Sequence, residues 1–271
     1  MSAFRNLKWH LYQNFIMPDR LETFRNLLRA IAGKGYRFTT VEAFASAIKA
    51  GNIPDGPLCI LRMDIDSDPA GAGRMFDIAS AEGARATYYF RLATLDRRLA
   101  DRIRSQGSEV GYHFEELATC AKRMGLRTPE DIEANLEPMR DAFRRNVILF
   151  RDAMGECPRT VAAHGDFLNR RIGVKSQRMV DRALLDECGI AVEAHEPWLL
   201  RTIDARVSDR PAPLWWYPQS PEKALSASPR VIHILVHPRQ WARAPLLNAR
   251  LDLERGMEDV TYRWRGAQRK R

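Results

Sequence analysis

At 271 residues, with 45% apolar and 28% charged side chains, the chain has the composition of an ordinary globular protein, which excludes disordered, collagen-like and membrane-embedded architectures. A chain of this length buries about three quarters of its extended surface on folding, enough for one large core. Forty-three basic against thirty-four acidic residues leave a net charge of +9, and 36 of the 43 are arginine, a side chain suited to phosphate and carboxylate partners.

The one tight basic cluster is terminal, at Arg263, Arg265, Arg269, Lys270 and Arg271. The other charges read as solvated faces, and no long basic and aromatic stripe marks a specific nucleic-acid surface. Cys59, Cys120, Cys157 and Cys188 stand singly, as reduced, mostly buried thiols do. The first ten residues lack the apolar segment of a signal peptide, and no apolar run approaches the roughly 20 residues of a membrane span, so a cytoplasmic protein is expected.

Leu21, Phe24, Leu27, Leu28 and Ile31 recur at helical spacing until Gly33 and Gly35 interrupt them, which predicts a first helix. Thr40 caps a second, closed by Gly51 ahead of a proline turn. Leu58-Cys59-Ile60-Leu61 then reads as a buried strand with a charged mouth, Arg62-Met63-Asp64-Ile65-Asp66. A helix near 73–83, a strand at 86–90, a helix near 100–106 and a strand over 110–113 follow. This alternation predicts parallel β-α units. One long helix is expected over 129–145, strands over 160–163 and 231–236, and a long ordered loop over the proline-rich 208–229.

Strand side chains alternate faces, so Arg62, Asp64 and Asp66 should share one side at a strand end, where α/β folds place ligands. Two carboxylates there suit a divalent ion and a neighbouring base, although a solvated Arg–Asp pair fits the same residues. Three of the six histidines also stand at strand ends: His113, His164 beside Gly165, and His237 before Pro238. His10, His195 and His233 have no comparable placement. No G-x-S-x-G elbow occurs and Ser67 has no evident base, which argues against a serine hydrolase. Phosphate-loop and dinucleotide fingerprints are missing as well.

Taken together, the motifs resemble those of the NodB-type polysaccharide deacetylases, carbohydrate esterase family four. Arg62-Met63-Asp64-Ile65-Asp66 is similar to the R-H-D-V-D of a divergent branch, with Met63 in place of His. Ala86-Thr87-Tyr88-Tyr89-Phe90 resembles A-T-F-F, and Glu109-Val110-Gly111-Tyr112-His113 resembles E-I-G-x-H. Leu235-Val236-His237-Pro238 with Trp241 resembles the closing L-x-x-H and H-P-x-x-W patterns.

The resemblance implies an α/β fold, a distorted (β/α) barrel of about seven parallel strands over 57–245, with a helical extension over 1–56 and a basic tail over 246–271. It also implies one divalent ion, zinc by preference, and hydrolysis of an N-acetyl group on a sugar. Separately, the missing signal segment and the arginine excess suit a cytoplasmic precursor such as a nucleotide- or lipid-linked sugar. By the same resemblance Asp64 corresponds to the general base, Asp66 and His113 to metal ligands, and His237 to the general acid. The family's H-x-x-x-H is broken by Leu117, so the third ligand comes from His164 or from Glu116; His164 is preferred because it completes the three-ligand, open-position set of catalytic zinc. Arg62, Asp209 and Trp215 are candidates for orienting a histidine or holding substrate, Trp216 and Tyr217 for stacking on a ring, and Asn169 is a further polar candidate. Three alternatives stay open: a degraded barrel that binds glycan without cleaving it, a C–N hydrolase acting on a non-sugar amide, and a nucleic-acid binder.

Overall fold

The structure, a computed structural model, describes residues 8, 9 and 11–268, with side chains described as far as residue 264. His10, the side chain of Arg265, and Arg269, Lys270 and Arg271 of the basic cluster lie outside the described residues.

Nine strands form one sheet: β1 (Arg37–Thr39), β2 (Leu58–Ile65), β3 (Thr87–Phe90), β4 (Glu109–Phe114), β5 (Thr160–Ala163), β6 (Val192–Glu193), β7 (Ala205–Asp209), β8 (Trp216–Tyr217) and β9 (Val231–Val236). The order β6-β5-β4-β3-β2-β9-β7-β8 contains seven parallel strands, capped by β8, which pairs antiparallel with β7. An eighth parallel strand, β1, lies beside the first residues of β2. The sheet is curled into a half-barrel, and among the described residues no pairing joins β6 to β8.

Alternation along β2 builds both faces. Cys59, Leu61, Met63 and Ile65 enter the large core under the outer helices, with Phe76 of the helix Pro69–Ala81, Ile103 of Arg97–Ser105, and Phe143 and Phe150 of Leu136–Met154. Leu58 and Ile60 point to the concave side, where Tyr89, Ala162, Val192 and Val231 complete a second cluster. The concave face is therefore apolar at the amino ends of the strands and charged at their carboxyl ends.

Local signals act as expected in several places. Thr40 Oγ1 accepts from the Ala43 amide and starts the helix Val41–Lys49. The helix expected near 73 begins earlier, at Pro69, because Asp68 caps it by accepting from the Gly71 amide at 2.8 Å. The long helix expected over 129–145 is two, Pro129–Glu133 and Leu136–Met154: Thr128 and Asp131 form a capping box on the first, and Gly155 ends the second in a left-handed conformation. The region read as a loop over 208–229 carries the end of β7, β8 and the helix Pro221–Ser226 capped by Ser220. Among the cysteines, Cys59 and Cys120 are buried, Cys188 is intermediate and Cys157 is exposed; all are free thiols.

Described segments near both ends of the chain, around Asn14 and Asp252, line the cleft region at the carboxyl ends of the strands. Residues 245–268 form a helix, Pro245–Gln268, tied down by the buried Tyr262 and by Asp252, which accepts from Asn14 Nδ2 at 2.7 Å and from Arg239 Nη2 at 2.7 Å. No helix among the described residues is long and apolar enough to cross a membrane.

Candidate active site and metal centre

Arg62 and Asp64 follow Leu58 and Ile60 on the concave face of β2 and form a bidentate pair, Nε to Oδ1 at 2.7 Å and Nη2 to Oδ2 at 2.8 Å. Both are buried, so the strand end is not a solvated charge pair. Burial opposes the charge on Asp64, but Arg62 outweighs it and the carboxyl is lowered to about 2. The guanidinium lies 5.0 Å from the Tyr89 ring centroid, and Tyr89 donates or accepts a hydrogen bond with Thr160 at 2.8 Å. Tyr89 fits only because position 111 is glycine: a Cβ there would meet the ring at 2.4 Å and the Thr160 carbonyl at 2.9 Å.

The chain turns immediately after β2, leaving Asp66 between the strand end and the Asp68 cap. His113 reaches the same point from β4 and His164 from the turn after β5. One ligand atom from each of Asp66, His113 and His164 falls within 4.8 Å of the others. Asp66 Oδ1 is 3.2 Å from His113 Nε2 and 3.7 Å from His164 Nε2.

The donors fit a cation. His113 Nδ1 lies 2.9 Å from the Ala162 carbonyl oxygen; a carbonyl only accepts, so Nδ1 carries the hydrogen and, in the neutral ring, Nε2 presents a lone pair. That lone pair faces Asp66 Oδ1 at 3.2 Å and Asp64 Oδ2 at 3.5 Å. Acceptors converging on one point call for a positive charge between them. Burial lowers His164 to about 4, which keeps its ring in the ligand form at neutral pH. A carbonyl anchoring the far nitrogen of a ligand histidine is the usual support of such a site.

The opposite wall carries a carboxylate–imidazole pair. Asp209, buried at the end of β7, accepts from His237 Nδ1 at 2.6 Å through Oδ1, and from the His237 amide and Trp241 Nε1, both at 2.8 Å, through Oδ2. Both of its oxygens are engaged, one of them by His237 Nδ1; the Nε2 of His237 has no partner among the described residues. Burial disfavours the charged ring, but Asp209, with Asp66 and Asp64 across the cleft, more than offsets it and raises His237 to about 9. Arg62, Asp64, Asp66, His113, His164, Asp209 and His237 all line one cleft of about 580 Å³.

Other predicted residues lie apart. Glu116 points into the core, where Oε1 accepts from the Tyr112 hydroxyl and, at 2.8 Å, from Asn146; burial pushes its carboxyl up. Met63 and Leu117, which stand where the family motifs have histidine, are fully buried in the outer core. Trp215 lies against Arg20, 4.3 Å from ring centroid to guanidinium, and outside the lining of the cleft. Trp216 packs on Trp241, and Tyr217 is exposed. Asn169 lines the cleft but closes the Asp166 capping box.

Sequence reasoning missed His195. Its Nε2 is 3.2 Å from Arg62 Nη1 and its Nδ1 is 2.7 Å from Glu193 Oε1. Arginine only donates, so Nε2 accepts and Nδ1–H points to Glu193. The chain Glu193–His195–Arg62–Asp64 thus braces the strand-end carboxylate. His195 follows a strand of two residues, too short for alternation to show; the one available signal was the Glu-x-His spacing. Arg91, which pairs with Glu115 at 2.6 Å and donates to the Asp66 carbonyl at 2.7 Å, was also missed.

No family model matches the chain, and no curated protein does. Solved structures of two deacetylases and of a carbohydrate esterase family four pseudoenzyme do match it. The Streptococcus pyogenes deacetylase PplD in complex with acetate is 11% identical, with a TM-score of 0.42, over 89% of this chain and 90% of that one. The BpsB deacetylase domain of Bordetella bronchiseptica is 13% identical, with a TM-score of 0.42, over 66% and 78%. BA3943 of Bacillus anthracis, a family-four pseudoenzyme, is 14% identical, with a TM-score of 0.41, over 79% of this chain and 63% of its own.

Proposed function

We propose that the protein is a metal-dependent hydrolase that removes an N-acetyl group from a sugar or saccharide precursor. The observation that carries this reading is the Asp66, His113 and His164 cluster opening into the same cleft as a histidine held protonated by Asp209. The three side chains would hold one divalent ion, for which zinc is the best match to two imidazoles and a carboxylate. When bound, such an ion supplies Lewis acidity to the amide carbonyl and acidifies water.

The chain's own residues divide the proton work. Asp64, ionised at any working pH, lies beside the cluster and accepts a proton from the attacking water. His237, charged below about pH 9, delivers a proton from Nε2 to the departing amine, while Asp209 fixes its ring and its tautomer. Two groups driven apart in pKa by their surroundings are the arrangement acid–base catalysis requires. The amide nitrogen leaves as an amine and acetate is the other product.

One observation favours a second reading, a barrel that binds glycan without cleaving it: the bidentate Arg62 makes Asp64 a weak base. Metal analysis of the purified protein, combined with acetate release from a panel of N-acetylated sugars, separates the two. One equivalent of metal and acetate from at least one sugar is expected; retained sugar affinity without acetate would overturn the hydrolase.

A further inference from the structure

Apart from Asp66, which belongs to the proposed metal centre, the aspartates of the cleft are already matched. Asp64 is held by Arg62, Asp209 by His237, Asp252 by Arg239 at 2.7 Å, and Asp166 by Lys122 at 2.9 Å. The cations at its lip are not. Arg170, Lys175, Arg210 and Arg255 line the same cleft, are exposed, and form no ion pair with any described residue; Arg210 has only the Tyr217 ring, 5.5 Å away.

They come from four separate segments: the helix Phe167–Ile172, the turn after it, the connection from β7 to β8, and the helix Pro245–Gln268. Elsewhere arginines find acids readily, as Arg144 does with Glu137, Asp141 and Glu187. Unmatched positive charge from four segments therefore converges on one opening.

We infer that this lip binds the phosphate of a phosphorylated sugar, so that the substrate is a sugar diphosphate ester rather than a neutral glycan. Guanidinium groups meet phosphate oxygens in paired, charge-assisted hydrogen bonds, whereas a neutral saccharide offers nothing that needs four cations. Held at the lip, the diphosphate would leave the sugar pointing inward, with its acetamide toward Asp66, His113 and His164. The inference rests on the hydrolase reading for the acetamide, but not for the anion.

The test uses the metal-loaded full chain and three probes with one N-acetylated sugar: the free sugar, its uridine diphosphate ester, and its polyprenyl diphosphate ester in detergent micelles. Binding is measured by calorimetry at low and high salt. At least one ester should bind tenfold or more tighter than the free sugar, and the advantage should shrink at high salt, as screened contacts do. The preferred ester names the source, and inorganic pyrophosphate should compete with it. An Arg170→Gln, Lys175→Gln, Arg255→Gln variant should lose most of that advantage, while an Lys34→Gln, Arg98→Gln, Arg201→Gln variant, of equal charge but away from the cleft, should keep it.

Equal affinity for all three probes, an advantage that survives the lip variant, or equal losses in both variants would overturn the inference. Salt-sensitive binding of an ester with no acetate released would sustain the lip and overturn the hydrolase. Acetate release with no preference for either ester would do the reverse.

Discussion

On the β2–β5 side of the cleft, His113 gives its Nδ1 hydrogen to a backbone carbonyl, and burial lowers His164 to about 4. On the β7–β9 side, His237 gives the same hydrogen to a carboxylate and is raised to about 9. The rings are chemically identical and each stands at a strand end. Behind His113 the Ala162 carbonyl takes the Nδ1 hydrogen and leaves the other nitrogen free for a metal; behind His237 the Asp209 carboxylate favours the charged ring. For His113 and His237 the group behind the ring distinguishes the two, whereas for His164 burial does.

The comparison breaks most readily on the metal side. Asp66→Ala should abolish binding of a divalent ion in calorimetric titration and take acetate release with it, and His113→Ala should do the same. Stoichiometric metal in both variants would remove the proposed centre. On the proton side, His237→Ala should keep full metal occupancy and lose turnover by about 10²- to 10⁴-fold, the usual contribution of a general acid. Near-normal turnover in that metal-loaded variant would refute the role.

Between the two sides stands Arg62, and its removal tests the brace. With 2% and 4% of their side chains exposed, Arg62 and Asp64 form a buried pair, and Arg62→Ala would leave an uncompensated carboxylate at a cost of about 3–5 kcal/mol, readable in urea unfolding at neutral pH. A midpoint unchanged from the parent would show that water reaches Asp64.

A finer test is pH. Activity should be full while His237 is protonated and fall as pH rises through about 9. In Asp209→Asn, burial loses its largest opponent, the pKa drops, and the basic limb of the rate profile moves to lower pH. A limb that stays in place would assign it to another group. The smallest effect belongs to Glu116→Gln, which should leave metal content unchanged, since Oε1 is engaged by Tyr112 and Asn146; lost metal would bring Glu116 into the centre and displace His164.

Much of this was legible in the sequence because one physical rule covers it. Alternation along Leu58–Asp66 assigned Arg62 and Asp64 to the concave face, and strand-end histidines followed by glycine or proline marked His164 and His237. What escaped depends on partners far along the chain. Glu116 stands three residues after His113, a spacing that looks like a ligand pair until Tyr112 and Asn146 claim its carboxylate. Trp215 sits in an aromatic cluster, and only the position of Arg20 shows that its ring is already covered. The C-terminal segment reads as basic, but Asp252 and Tyr262 anchor it as a helix. Local pattern reveals which way a side chain faces, whereas what it meets depends on the topology.

The placement of β9 has a consequence for how the chain is made. Leu58 pairs with Val231 and Met63 with Val236, so the strand that carries Arg62 and Asp64 keeps one edge unpaired until nearly the whole polypeptide exists. The carboxyl-terminal half therefore has to be synthesised before the centre of the sheet can close. Contacts this distant in sequence slow folding and prolong the exposure of an apolar edge. Asp66, His113 and His164, by contrast, belong to strands that neighbour one another early in the chain, so metal affinity can arise in a truncated product that lacks His237. The three proposed ligands are thus synthesised before the proposed acid.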